Sequence, residues 1–249
     1  MCIIIAKPAG QNLPPLSHIE NSFMNNPDGF ACIWEQKGKI KQYKTLEYSD
    51  CIYFYCNLLK NKEAWVDTPF SFHFRIATHG SKTIDNCHAY VDDNNVIGFQ
   101  HNGVLSYRVP IEQDITDSEY FFRNIFLPIF SMFGMRQDVV DNLTENGYNK
   151  FSFIYDRTIY LFGHFSEVGG CYYSNSGYLP YSHKGYFKNG DTYQGKSKKH
   201  GKKEAEEIEV DVDYEAAYAY DEIIDDKYSL PCDSCVEMDC NHCDLWRNM

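Results

Sequence analysis

Apolar and polar positions alternate along residues 1 to about 182 in short runs punctuated by Gly, Asn, Asp and Pro. Runs of this length predict strands at Cys2 to Ala6, Gly29 to Trp34, Phe70 to Ile76 and Val96 to Gln100. Two other stretches change to helical spacing. In Glu47 to Lys62 the repeat is Tyr48, Cys51, Ile52 and Tyr55, and in Ser118 to Phe133 it is Phe121, Phe122, Ile125 and Phe126. Asp117, just before the second stretch, is the expected N-cap. Lys150 to Tyr155 and Thr158 to Gly163 flank Asp156-Arg157 and predict a hairpin. Strands and helices mixed in this order predict α+β layers rather than a regular βαβ winding.

Beyond about Leu179 the alternation fades. Lys184, Lys188, Lys196, Lys198, Lys199, Lys202 and Lys203 make a basic stretch interleaved with glycine. A dense acidic run follows from Glu204 to Asp226, with too few apolar residues to build a core. This composition predicts a charged, disordered linker over 183–228, against the alternative of a solvated helix packed on the domain. The last segment, 229–249, carries Cys232, Cys235, Cys240 and Cys243 as C-x2-C-x4-C-x2-C, with His242 inside the cluster. Two such knuckles offer four thiolates to one structural zinc ion. The x4 separation is shorter than the usual loop between knuckles, so a reduced Cys-rich tail is the competing reading. The expected organisation is thus a folded domain over 2–182, then linker, then tail.

Composition narrows the function classes. A chain of 249 residues can bury a full core without disulfide staples. Its apolar runs are too short for a membrane-spanning helix or a secretory h-region. Lys and Arg total 23 against 35 Asp and Glu, and the net charge of -12 repels phosphate, which argues against nucleic acid as a partner. Ten cysteines without a signal peptide read as reduced, cytoplasmic thiols.

The candidate chemistry begins at Cys2. Removal of Met1 before a small residue would leave a thiol and a free α-amino group on one residue. Their ordinary pKa values, about 8.5 and about 7.7–8.0, let the amine take the thiol proton near neutral pH. That arrangement is an N-terminal nucleophile with its own base. Four further segments follow in order: Phe74-Arg75-Ile76-Ala77-Thr78-His79-Gly80, Asn86-Cys87-His88, His101-Asn102-Gly103 and Thr116-Asp117-Ser118-Glu119. Taken singly, Arg75 fits a surface strand, His79 and His88 fit core histidines, Asn102-Gly103 fits a hairpin turn and Asp117 fits a helix cap.

Together and in this order, the segments resemble the class II glutamine amidotransferase family over about residues 2 to 182. The resemblance implies an N-terminal nucleophile (Ntn) hydrolase fold, an αββα four-layer sandwich. It implies Cys2 as nucleophile, Asn102 and Gly103 as oxyanion donors, Arg75 as binder of the substrate α-carboxylate and Asp117 as binder of its ammonium. Thr78, His79 and Gly80 would line the same pocket, with His88 near its mouth. Ile3, Ile76 and Ala89 stand where the family usually has Gly, an aromatic residue and Pro. The implied reaction converts L-glutamine to glutamate and ammonia without a cofactor. No synthase domain follows, so the expected partner is a separate ammonia-accepting synthase. A γ-glutamyl peptide hydrolase on the same scaffold and a non-catalytic binding module are the alternatives.

Overall fold

The computed structural model describes residues 2–77, 81–105, 115–136, 138 and 148–180. The linker and Cys-rich tail expected over 183–228 and 229–249 lie outside these residues. Two antiparallel sheets organise the rest. The first has the order β3-β2-β4-β1-β10-β9, from Lys39–Thr45, Phe30–Gln36, Phe70–Phe74, Ile3–Lys7, Cys171–Tyr173 and Ser166–Val168. The second has the order β5-β6-β7-β8, from Tyr90–Val91, Ile97–Asn102, Lys150–Tyr155 and Thr158–Phe162.

Period-2 alternation assigns the faces of the first sheet. Phe30 and Trp34 of β2 pack on Phe54 of α2 (Tyr48–Lys60), and Phe72 of β4 packs on Tyr55 of the same helix. Ala31 and Ile33, one residue out of phase, turn the other way and pack with Ile154 of β7. The second sheet has an aromatic outer face. Phe99, Phe151 and Phe153 pack there against Phe121, Phe122 and Phe126. Helix α1 (Leu16–Asn25) buries Leu16, Ile19 and Phe23, and its His18 bonds the Tyr173 hydroxyl at 2.8 Å.

The expected elements are present with shifted ends. β4 stops at Phe74 because the ladder breaks just beyond it: Arg75 N–H still bonds the Gly29 carbonyl, but the Arg75 carbonyl accepts from Asp28 N–H at 3.0 Å and Ile76 N–H turns to Cys2 Sγ. A side chain at Gly29 would collide with Cys87 Sγ, so the close approach beside Arg75 requires glycine. The stretch predicted as one helix over Ser118 to Phe133 is α3 (Asp117–Phe121), a π-helical turn (Phe122–Phe126) and α4 (Leu127–Phe133). Pro128 lacks the N–H an unbroken α-helix would use there, and the wider turn lets adjacent Phe121 and Phe122 both face the sheet.

The N-cap is Thr116, not Asp117: the Thr116 hydroxyl accepts from Glu119 N–H at 3.1 Å, and Asp117 is the first helical residue. The Asp156-Arg157 hairpin is present, with φ of 47° and 59° at the two residues, as a type I′ turn requires. The pattern did not reveal α1, β3, β5, β9 or β10. No helix among the described residues is long and apolar enough to cross a membrane.

The aromatic layer supplies a test of this packing. Phe99 is fully buried among Tyr90, Phe121, Phe122, Phe151 and Phe153. Phe99→Ala is expected to lower the unfolding free energy by about 3–5 kcal/mol in urea titration, with little change in slope.

Candidate functional site

Cys2 immediately precedes β1, whose five residues are all buried. Strand β1 lies between β4 and β10, with Ile3 opposite Phe74 and Ile5 opposite Tyr173. Cys2 Sγ is consequently held at the point where β4 ends, 3.4 Å from Ile76 N and 3.5 Å from Ile76 O. The Cys2 carbonyl accepts from Asn175 Nδ2 at 2.7 Å. Burial raises the thiol pKa, partly offset by the Ile76 N–H and the charge of Arg75. A thiol in this setting needs a base to become a thiolate near neutral pH.

Asn102 is the last residue of β6 and is 3% exposed. Its Nδ2 lies 2.9 Å from Ser174 Oγ. The same hydroxyl accepts from Ile4 N–H at 2.8 Å, and Ser174 N–H donates to the Ile4 carbonyl at 2.9 Å. One residue just after β10 thereby ties the strand that carries Cys2 to the strand that ends in Asn102. Asn102 Oδ1 is buried without a hydrogen-bond partner among the described residues. The next position has no room for a side chain, because a Cβ on Gly103 would collide with Asn149 Oδ1 and His101 Nε2. Asn102-Gly103 is not a two-residue hairpin: β6 pairs with β7, and the connection between them contains α3 and α4.

Three histidines support this strand end. The His101 side chain spans Asn149 Oδ1 (2.9 Å from Nε2) and Ser118 Oγ (2.8 Å from Nδ1). In the neutral ring Nε2–H donates to the amide oxygen and Nδ1 accepts the Ser118 hydroxyl proton, for which Asp117 Oδ1 at 3.3 Å competes. The His101 carbonyl in turn accepts from His73 Nε2 at 3.1 Å and His88 Nδ1 at 2.7 Å. The rings of His73 and His88 stack with centroids 4.4 Å apart. Burial pushes all three imidazoles below the ordinary histidine value, so they are neutral. His88 is only 7% exposed, and with Nδ1 on the carbonyl it has Nε2 as its remaining ring nitrogen.

Arg75 is 1% exposed. Its field reaches Cys2, Asp28, His73, Cys87 and His88, which places a buried cation amid the candidate residues. One guanidinium N–H donates to the Ser81 carbonyl at 2.9 Å, and Asn86 Nδ2 approaches that carbonyl at 3.3 Å. Asp28 accepts from Ala77 N–H at 2.9 Å and pairs with Lys82. Thr78, His79 and Gly80 lie outside the described residues. The Asp117 carboxylate accepts from Leu105 N–H at 2.7 Å and Ser118 N–H at 2.9 Å. Asp117 and Arg75 act on His88 with opposite sign.

Charge links Arg75 to Cys2 and both Arg75 and Asp117 to His88, whereas Asn102 is tied to the strand that follows Cys2 only through Ser174, and Gly103 joins the group as the residue after Asn102. The sequence reading missed His73, Asn149, Ser174 and Asn175. Cys232, Cys235, Cys240 and Cys243 lie outside the described residues. Among the described residues no group of three or more His, Cys, Asp or Glu side chains could hold a metal ion. The six described cysteines are unpaired and buried, as expected for Cys32, Cys51, Cys56, Cys87 and Cys171.

No protein-family model matches the chain, and no curated protein matches it. Among solved structures it is similar to a glutamine aminotransferase class-II domain protein from Silicibacter pomeroyi. The identity is 13%, the match covers 69% of this chain and 87% of that one, and the TM-score is 0.34. The functional reading therefore rests on the chain's own residues.

The neutral histidines predict a pH dependence of stability. A group with a depressed folded pKa contributes fully above its unfolded value, near 6.5 for histidine, and loses that contribution as pH falls towards the folded value. The unfolding free energy is expected to fall between pH 7 and pH 5. Below pH 6.5, each of His73, His88 and His101 that stays neutral contributes about 1.4 kcal/mol per pH unit to that fall. Urea titrations at half-unit steps measure the slope, and a flat profile would contradict the neutral assignment.

Proposed function

We propose that this chain is an N-terminal cysteine amidase that hydrolyses the side-chain amide of L-glutamine on an Ntn-type αββα four-layer scaffold. The observation that carries the reading is the link through Ser174 between Ile4, two residues from the thiol, and Asn102 at the end of β6, with buried Arg75 alongside. A nucleophile, an amide donor and a fixed cation are the groups that attack on a zwitterionic amide requires.

Removal of Met1 exposes the Cys2 α-amine, which takes the thiol proton. Sγ then attacks the amide carbon of glutamine, and the carbonyl π electrons move onto oxygen. Asn102 and the Gly103 N–H donate to that oxyanion. Collapse breaks the C–N bond, ammonia leaves with the proton returned by the α-ammonium, and a glutamyl thioester remains. Water, deprotonated by the amine, cleaves the thioester to glutamate and restores the thiol. No cofactor enters these steps. Arg75 pairs with the substrate α-carboxylate and Asp117 with its ammonium, while Thr78, His79, Gly80 and His88 line the pocket. Contacts made equally in the ground and transition states set affinity, whereas the oxyanion donors set rate. The ammonia goes to a synthase supplied as a separate chain, with the charged linker and the Cys-rich tail as docking elements and zinc held by the four tail cysteines.

The test is intact-mass and peptide mapping before and after a diazo-ketone glutamine analogue, with glutamine as competitor. A glutamine-protected adduct on Cys2 of the Met1-less chain is expected, and Cys2→Ala should abolish it. Asn102→Ala should lower kcat about 100- to 1000-fold. Arg75→Lys should act chiefly on KM, because one ammonium cannot reproduce the guanidinium fork. Retained Met1 with no adduct would overturn the proposal, and turnover of γ-glutamyl dipeptides in place of glutamine would move it to a peptide hydrolase.

A further inference from the structure

We infer that Ser174 is a positioning residue that sets which end of the Asn102 amide faces the reacting carbonyl. The inference rests on the amidase reading above and deepens it. Ser174 is 1% exposed, and its hydroxyl has one proton and two acceptor lone pairs. Ile4 N–H occupies one lone pair at 2.8 Å. With Nδ2 of Asn102 occupying the other, the hydroxyl proton has no acceptor and Asn102 Oδ1 is buried without a partner among the described residues. Two unmet needs at one contact have a single remedy.

Turning the planar amide by half a rotation exchanges oxygen and nitrogen without moving the rest of the side chain. Ser174 O–H then donates to Oδ1 at the observed 2.9 Å separation, and the buried oxygen is satisfied. Both Nδ2 protons turn to the side away from Ser174. A donor faces the developing oxyanion there, where the opposite orientation would set a lone pair against it. The hydroxyl is itself held on both sides of its residue: Ser174 N–H is fixed on the Ile4 carbonyl, and the neighbouring Asn175 is fixed on the Cys2 carbonyl. The bond that orients the donor thus belongs to the clamp that seats the nucleophile's strand.

The experiment measures glutamine hydrolysis by the Met1-less wild type, Ser174→Ala, Ser174→Cys, Asn102→Ala and the Ser174→Ala/Asn102→Ala double variant, with thermal midpoints for all. Ser174→Cys keeps the volume with a poor hydrogen-bonding group and serves where the Ala variant does not fold. The expected result is a kcat lowered about 10- to 100-fold in the Ser174 variants, the scale on which an orienting partner acts, with KM changed less than about twofold. In the Asn102→Ala background the same substitution should leave kcat unchanged, because its effect runs through Asn102. Full kcat in a folded Ser174 variant, or an equal loss with and without Asn102, would overturn the assignment while leaving the amidase reading standing. A wild type that does not hydrolyse glutamine would instead remove the amidase reading, and the role of Ser174 with it.

Discussion

The interior position of β1 is the constraint from which the candidate site follows. Pairing with β4 on one side and β10 on the other leaves this strand no edge and no freedom of register. A slip of one residue would turn Ile4 and Ala6 towards α2 and move the thiol away from Ile76. Because Ile76 N–H turns from the ladder to Cys2 Sγ, the strand end that holds the thiol also starts the segment carrying Arg75. The Cys2 thiol and the backbone of Arg75 are therefore positioned by the same ladder.

The two sheets do not meet through hydrocarbon alone. Ser71, on the face of β4 opposite Phe70 and Phe72, bonds Gln100 Oε1 at 2.6 Å and Ser152 Oγ at 2.9 Å. Gln100 Nε2 reaches back to the Ser71 and Ala31 carbonyls. A satisfied buried network of this kind has one geometry, and sliding one sheet over the other would strand every member. His73, two residues along on the same face, extends the network to the His101 carbonyl. Inter-sheet register is thereby transmitted to the end of β6, where Asn102 sits.

How much of this was legible in the sequence depended on whether a residue's partner was local. The strands around Ile3, Phe30, Phe70 and Ile97 were readable because their alternation is a property of the strand itself. The Asp156-Arg157 turn was readable for the same reason. Strand β3 was not, since as an edge strand it buries only Ile40 and Thr45 and reads as a lysine-rich loop. At the candidate site, Cys2, Arg75, Asn102, Gly103 and Asp117 stand in recognisable motifs. Ser174 and Asn175 do not, because their partners Ile4, Asn102 and Cys2 are 170, 72 and 173 residues away. His73 left a faint trace as a polar residue within the apolar run Phe70 to Phe74, a pattern that implies a polar partner across the sheet without naming it. Thr116 took the cap from Asp117 because its own backbone is extended while Asp117 is already helical.

One strand end does two jobs at β6, and the strand period explains how. His101 points towards α3, where Ser118 and Asn149 hold its ring, while Asn102 points towards the first sheet and Ser174. The histidine scaffold and the candidate amide therefore occupy opposite faces of consecutive residues. This separation lets the buried side be neutral, tightly bonded and costly to protonate, while the other side retains an amide with unspent hydrogen-bonding capacity. Gly103 completes the arrangement by leaving out the side chain that would otherwise strike both His101 and Asn149. A substitution on the scaffold face should consequently be felt first as stability. A substitution on the Asn102 face should be felt first as rate, and that difference separates the two faces by measurement.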